Sequence, residues 1–180
     1  LDAARIRLRA DVPVGAYLSG GIDSTFTSAL VKKNFNNFLC TFSVRFTDDR
    51  FDETRYQESA IKALKTEHRS IRCSEDNISK IFPKVIWHTE TPILRTSPAP
   101  LYRLSRLVRD NQFKVVLTGE GADEIFAGYN IFKEDKVRRF WARNPESRLR
   151  PELLRKLYTY IFTQQNEKDG AFLRGFFKKD

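Results

Sequence analysis

The chain of 180 residues contains no methionine, two cysteines, two histidines and two tryptophans. Each shortage removes a class of function. Cys40 and Cys73 lie far apart and form no CxxC pair, no zinc-ligand spacing and no disulfide framework. Cys40 stands in an apolar run and is expected as a small buried hydrophobe. Such cysteine usage suits a reducing cytoplasm. His68 and His88 have no partner spacing for a metal or a catalytic triad, so they read as surface or internally satisfied residues. No apolar run reaches the roughly 18 residues of a membrane span. Residues 1 to 11 read as an Arg-rich amphipathic helix, not a secretory leader. Internal repeats and low-complexity tracts are absent. A chain without methionine that opens on Leu1 is expected to be a piece of a longer protein, or one whose start has been removed.

What is present points to one packed α/β domain. Hydrophobic residues make up 41% of the chain, with 15 Phe, enough for a substantial core. The net charge is +9. The basic residues are spread along helical stretches: Arg5, Arg7 and Arg9, then Arg103, Arg106 and Arg109, then Lys136, Arg138 and Arg139. That spread reads as solvated helix faces with some attraction for an anionic nucleotide, and nucleic acid is not the expected partner.

Short apolar runs alternate with helical patterns. Strands are expected at Val14–Leu18, Phe38–Val44, His68–Cys73 and Lys114–Leu117. Helices are expected at Leu1–Ala10, Ser24–Lys33, Glu53–Leu64, Glu75–Trp87 and Leu101–Asp110. Further helix is expected along Ala122–Arg143 and from Pro151, with Leu153, Leu154, Leu157 and Ile161 along one face. Thr91–Pro100 holds three of the seven prolines and reads as an ordered loop. Strands separated by helical crossovers imply a parallel sheet with helices on both faces. Ligands in such sheets lie beyond the carboxyl ends of the strands.

Ser19-Gly20-Gly21-Ile22-Asp23-Ser24 joins the first strand to the first long helix. Strand, glycine turn and helix start together aim backbone N–H groups and a positive helix end at an anion. Two glycines let the main chain approach a phosphate, and Ser19 and Ser24 can add hydroxyl donors. Asp23 would repel a phosphate unless Mg2+ sits between them. At average residue usage the pattern recurs on the order of once per million positions. A plain turn with Asp23 as helix N-cap is therefore the weaker reading. No Gly-Lys-Ser/Thr follows, which excludes a Walker A loop, and Tyr17 replaces the first glycine of a nucleophile elbow.

S-G-G-x-D-S after a strand resembles the signature of the ATP-pyrophosphatases, or PP-loop enzymes. Leu117-Thr118-Gly119-Glu120-Gly121-Ala122-Asp123-Glu124-Ile125-Phe126-Ala127-Gly128-Tyr129 resembles the acidic motif of the synthetase domain of asparagine synthetases. The resemblance covers most of residues 1–145, with 146–180 as an incomplete helical continuation of the same domain. It implies an adenine nucleotide alpha-hydrolase-like, Rossmann-like fold, truncated here. It also implies a ligase that adenylates a carboxylic acid with ATP, most simply the aspartate side chain, and releases pyrophosphate. Ammonia then displaces AMP to give asparagine.

The resemblance distributes roles along the chain. Ser19, Gly20, Gly21 and Ser24 would hold the β and γ phosphates. Asp23 and Asp123 would hold Mg2+, and Glu120 would serve formation or aminolysis of the acyl-adenylate. Leu18, Val44, Thr118 and Gly119 would complete the nucleotide site, with Val44 against adenine. Glu124 reads as a cap or a supporting residue. Asp52 and Glu53 match an acidic pair of the family and read first as helix capping. The acid substrate is placed near Thr89–Pro98, where Arg95 could pair with a carboxylate. The later family lysine falls outside this chain, so a fragment that binds Mg-ATP weakly and makes no amide product alone is expected. An N-terminal glutaminase domain, supplying ammonia from glutamine, is expected in the parent, and a homodimer stays open. The alternatives are a β-lactam synthetase or lasso-cyclase type of ligase, a tRNA-modifying PP-loop enzyme, and a non-catalytic nucleotide-binding module.

Overall fold

Alternating apolar runs and amphipathic stretches resolve into a four-stranded sheet in which every pairing is parallel. The structure, a computed structural model, describes residues 1–35 and 38–158. The chain divides into two compact units, residues 1–120 and 121–180. In the first unit the order is α1 (Asp2–Arg7), β1 (Val14–Tyr17), α2 (Ile22–Phe35), β2 (Cys40–Phe46), α3 (Thr54–Leu64), β3 (Glu67–Cys73), α4 (Glu75–Thr89), α5 (Pro98–Asp110) and β4 (Val115–Leu117). The sheet order is β3-β2-β1-β4. The chain runs from β1 outward to β3, then crosses back to place β4 on the other side of β1. That reversal is the switch point where open α/β sheets bind ligands.

Both sheet faces are covered. On one, Cys40, Phe42, Leu104 and Val108 are buried together, with Val44, Ile71 and Phe113 against them. The Phe42 and Phe113 rings meet edge-on at 5.2 Å. On the other, Ala16, Val31 and Leu39 form a second cluster with Leu8 and Leu117. Thus α5 seals one face and α2 the other, and β1 and β2 are buried from both sides, as their short apolar runs require. Cys40 and Cys73 are both buried and free.

Several boundaries differ from the sequence reading for local reasons. β2 begins at Cys40, because Phe38 is 74% exposed and stands outside the sheet. α5 starts at Pro98, earlier than Leu101: a proline without N–H is tolerated in a first helical turn, where that group has no intrahelical acceptor. Asp52 does not cap α3, whose N-cap is Glu53 with no side-chain cap bond. Its carboxylate instead accepts from the Phe46 N–H at 3.0 Å and the Thr54 hydroxyl at 2.8 Å. It thereby ties the end of β2 to the start of α3.

The second unit, as far as residue 158, consists of α6 (Ala122–Phe126), α7 (Asn130–Ala142) and α8 (Glu152–Leu157). The single helical stretch expected over Ala122–Arg143 is broken. Ala127 takes a left-handed conformation, and the Gly128 N–H closes back on the Asp123 carbonyl at 2.9 Å. Trp141 and Leu154 are buried in this unit, and the Trp141 indole donates to the Pro145 carbonyl at 3.1 Å. Ile161, expected on the same face as Leu157, lies outside the described residues.

A polar seam crosses the interior of the first unit. Thr41, Ser43, Gln57 and Thr66 are buried. His68 stands between Thr41 at 2.9 Å and Ser43 at 3.0 Å. Burial first, then Arg45 and Arg69, push the His68 pKa from 6.5 down to about 4. The unfolded chain therefore takes up a proton near 6.5 that the folded chain refuses until about 4, and stability falls as the pH drops through that window. Urea midpoints should decrease from pH 7 to pH 4.5, and His68→Gln should flatten the decrease. A midpoint in the native chain that holds constant over this range would contradict a neutral buried His68.

Candidate functional site

β1 ends at Tyr17, and the Leu18 N–H still donates to the Phe42 carbonyl at 2.9 Å, so the chain leaves the sheet only at Ser19. Leu18 itself is fully buried. The turn that follows is held by its own hydroxyls. Ser24 Oγ accepts from the Ser19 N–H at 3.2 Å, lies 2.9 Å from Ser19 Oγ and donates to the Gly21 carbonyl at 3.2 Å. The Gly21 N–H donates to Ser19 Oγ at 3.2 Å. In this state both hydroxyls close the loop on itself.

The two glycines of the turn have different physical reasons. Gly20 has φ +89, and a Cβ there would lie 2.7 Å from the Gln57 nitrogen and from Tyr56 Cβ. Both the left-handed backbone and the α3 shoulder demand glycine. Gly21 has no positive φ, and a Cβ there would meet only Ser19 Oγ, at 3.3 Å. Space stays open on its far side.

The start of α2 supplies the donors. The N–H groups of Ile22, Asp23 and Ser24 make no hydrogen bond to any described residue. The first N–H groups of a helix have no intrahelical acceptor, and a 14-residue helix adds its dipole. The Asp23 carboxylate, half-buried, has no hydrogen bond or ion pair among the described residues.

β4 brings the second motif to this turn. β1 and β4 pair in register, Ala16 opposite Leu117, and leave the sheet side by side. Thr118 and Gly119 follow. A Cβ on Gly119 would lie 3.0 Å from Asp23 Cβ and 3.0 Å from the Ser24 nitrogen. The second loop therefore packs backbone-first on the opening of α2. Thr118 and Glu120 are exposed at this end of the sheet, and Glu120 has no side-chain partner among the described residues. The fold thus gathers Leu18, Ser19, Gly20, Gly21, Asp23, Ser24, Thr118, Gly119 and Glu120 at the carboxyl ends of β1 and β4. Val44 lies near the carboxyl end of the neighbouring β2, partly buried, with its carbonyl accepting from Gln57 Nε2 at 2.9 Å.

The family model for asparagine synthase matches residues 1–179. The chain belongs to the asparagine synthase family. The glutamine-hydrolysing asparagine synthetase 1 of Bacillus subtilis is 40% identical over 133 residues, 74% of this chain and 21% of that protein. A putative glutamine-hydrolysing asparagine synthetase 2 of Methanocaldococcus jannaschii is 38% identical over 144 residues, 77% of this chain and 27% of that protein. Amidase chyE of Penicillium rubens is 34% identical over 150 residues, 75% of this chain and 22% of that protein. The asparagine synthase segment seen here therefore spans about a fifth to a quarter of the length of these relatives.

Asp123 stands in the second unit, half-buried in the first turn of α6. A Cβ on Gly128 would overlap its carboxylate, so a side chain there would turn the acid aside. The sequence reading gave Gly128 no role; the left-handed break before it is the signal that a helix pattern hides. Glu124 accepts from the Tyr129 hydroxyl at 2.9 Å and so supports the same turn. Arg95 is exposed in the segment between α4 and α5. His88 lies 3.4 Å from the Tyr102 hydroxyl. The missed residue of greatest consequence is Gln57, which touches both Gly20 and Val44 and carries no motif.

The two motif glycines should respond differently to alanine. Gly20→Ala should destabilise the chain by about 1–3 kcal/mol, from strain and the backbone clash together. Gly21→Ala should cost less than about 1 kcal/mol. Urea denaturation of both checks this, and equal stabilities would contradict the packing of Gly20 on α3.

Proposed function

We propose that this segment is the nucleotide-binding part of an ATP-dependent amide ligase that adenylates a carboxylic acid, most simply the aspartate side chain, and releases pyrophosphate. Ammonia then displaces AMP and asparagine forms. The observation that carries the reading is the packing of Gly119 on Asp23 and Ser24, beside three unused N–H groups at the start of α2. An unreactive carboxylate becomes acylating only when joined to a good leaving group. The step that joins it to AMP expels a pyrophosphate, whose charge must meet donors already in place.

The proposed roles follow from that need. The N–H groups of Ile22, Asp23 and Ser24 and the open side of Gly21 receive the β and γ phosphates. Ser19, exposed, turns its hydroxyl from the loop to a phosphate oxygen. Asp23 and Asp123 are the carboxylates proposed to hold Mg2+, which prefers one or two carboxylates with phosphate oxygens and water. When bound, the ion neutralises charge on the departing pyrophosphate. Glu120 orients the reacting groups or accepts a proton from the attacking amine. Val44 and Leu18, with the backbone at Thr118 and Gly119, border the adenine. Arg95 pairs with a carboxylate of the acid substrate. Residues 1–145 and 146–180 are proposed to serve one synthetase domain. The names of the relatives, glutamine-hydrolysing, support a glutaminase domain as the ammonia source in the parent.

Titration calorimetry of this chain tests the reading. Mg-ATP should bind, and Asp23→Asn should weaken it by about tenfold or more, a loss of about 1.4 kcal/mol. Equal affinity of the two chains would remove Asp23 from the metal site.

A further inference from the structure

We propose that Gln57 is a positioning residue for the nucleotide base, the end of a one-way hydrogen-bond chain that runs from Thr66 through Thr41, His68 and Ser43 and fixes the carboxyl end of β2 against the Gly20 turn. The inference rests on the nucleotide reading above and adds a residue that neither motif contains.

The direction of the chain follows from proton counting. The Val44 carbonyl can only accept, so the Gln57 amide nitrogen, 2.9 Å away, must face it. Gln57 Oε1 then faces Ser43, whose hydroxyl donates to it at 3.0 Å. Ser43 has spent its only proton. Its 3.0 Å bond with His68 must therefore run from the Nε2–H to the serine oxygen. A neutral imidazole protonated at Nε2 has a bare Nδ1, which accepts from the Thr41 hydroxyl at 2.9 Å. The Thr41 oxygen can in turn accept from Thr66 at 3.1 Å. The Glu67 carbonyl, 3.1 Å from Thr41 Oγ1, is a competing acceptor that the one proton cannot serve at the same time. The desolvation that keeps His68 neutral near pH 7 agrees with this order.

The geometry gives the chain an output. Gln57 is 2% exposed, and its own backbone nitrogen stands 2.7 Å from where a Cβ of Gly20 would be. One residue therefore sets two edges. Its main chain abuts the phosphate turn, and its amide holds the strand end that carries Val44. A change confined to the amide should disturb the base edge and spare the phosphate edge.

The test uses calorimetry with two probes, Mg-ATP and magnesium pyrophosphate, on the native chain, Gln57→Leu, Gln57→Glu, Ser43→Ala and Asp23→Asn. Gln57→Leu should weaken ATP by about tenfold and pyrophosphate by less than about twofold. Gln57→Glu keeps an acceptor for Ser43 but loses the donor to Val44, so it should match the leucine variant. Asp23→Asn should weaken both probes. Should the Gln57 variants not fold, Ser43→Ala decides, with an expected ATP loss of about threefold and pyrophosphate unchanged. The His68 nitrogen shifts of the native chain should show the neutral Nε2–H tautomer at pH 6. Equal proportional losses for the two probes, an unchanged ATP affinity, or an Nδ1–H tautomer would overturn the proposal and leave the nucleotide reading standing. A native chain that binds neither probe overturns both.

Discussion

The backbone contact between Gly119 and the Asp23–Ser24 step is the constraint on which the rest depends. It exists because β1 and β4 are parallel neighbours whose chains leave the sheet at the same level. Two loops far apart in sequence can approach to backbone distance only if one lacks a side chain at the contact. A Cβ on Gly119 would press on a helix N–H that must stay open if the turn is to receive an anion. The sheet order, the position of the crossover and the glycine in the second motif are thus one requirement seen at three levels.

Behind that contact the first unit is stiffened by polar groups rather than by apolar volume alone. Thr41, Ser43, Gln57 and Thr66 are buried, and a buried polar group left unpaired costs about 1–3 kcal/mol. Here each finds a partner, so the seam gives little net stability yet strongly disfavours other arrangements of β2, β3 and α3. An apolar seam would tolerate sliding of α3 along the sheet. A chain of donors and acceptors does not, because a shift that breaks one link leaves a donor and an acceptor unsatisfied. The Asp52 carboxylate adds a second tie between the same elements, at the Phe46 N–H and the Thr54 hydroxyl.

Much of this was legible in the sequence, and the reasons for the rest are local. The parallel sheet followed from apolar runs spaced by helical stretches, whereas the pairing of β1 with β4, which sets Gly119 beside Asp23 and Ser24, is a finding of the structure. Boundaries slipped where side-chain pattern and backbone need diverge. Pro98 and Pro100 read as loop, yet a first helical turn needs no N–H there. Ala127 looked like helix interior, but Gly128 and the Asp123 carbonyl close the turn. Gln57 was illegible because its importance lies in what its amide reaches across the fold, namely Ser43 and Val44. No spacing rule along α3 distinguishes it from a surface glutamine. Asp52 shows the same limit: acids before a helix are expected to cap it, and this one bonds the Thr54 hydroxyl in the first turn of α3 and the Phe46 N–H of the preceding strand as well.

The charge pattern carries the last step. The chain has 32 basic and 23 acidic residues, so an acid without a base is not the result of scarcity. On the outer helix faces the pairing is systematic: Asp2 with Arg5, Asp76 with Lys80, Asp110 with Arg106, Asp135 with Arg139 and Glu152 with Arg155, each three or four residues apart. Such exposed pairs contribute about 0.2–1 kcal/mol each. The motif acids are treated differently. One turn beyond Asp23 stand Phe26 and Thr27, and one turn beyond Asp123 stand Phe126 and Ala127. Neither aspartate has a base within one helical turn, and neither has a side-chain ion pair among the described residues. Asp23, Glu120 and Asp123 all stand outside this pairing. The proposal of Asp23 and Asp123 as the carboxylates that meet an ion draws on this contrast, since the paired acids of the outer faces already have a cation beside them.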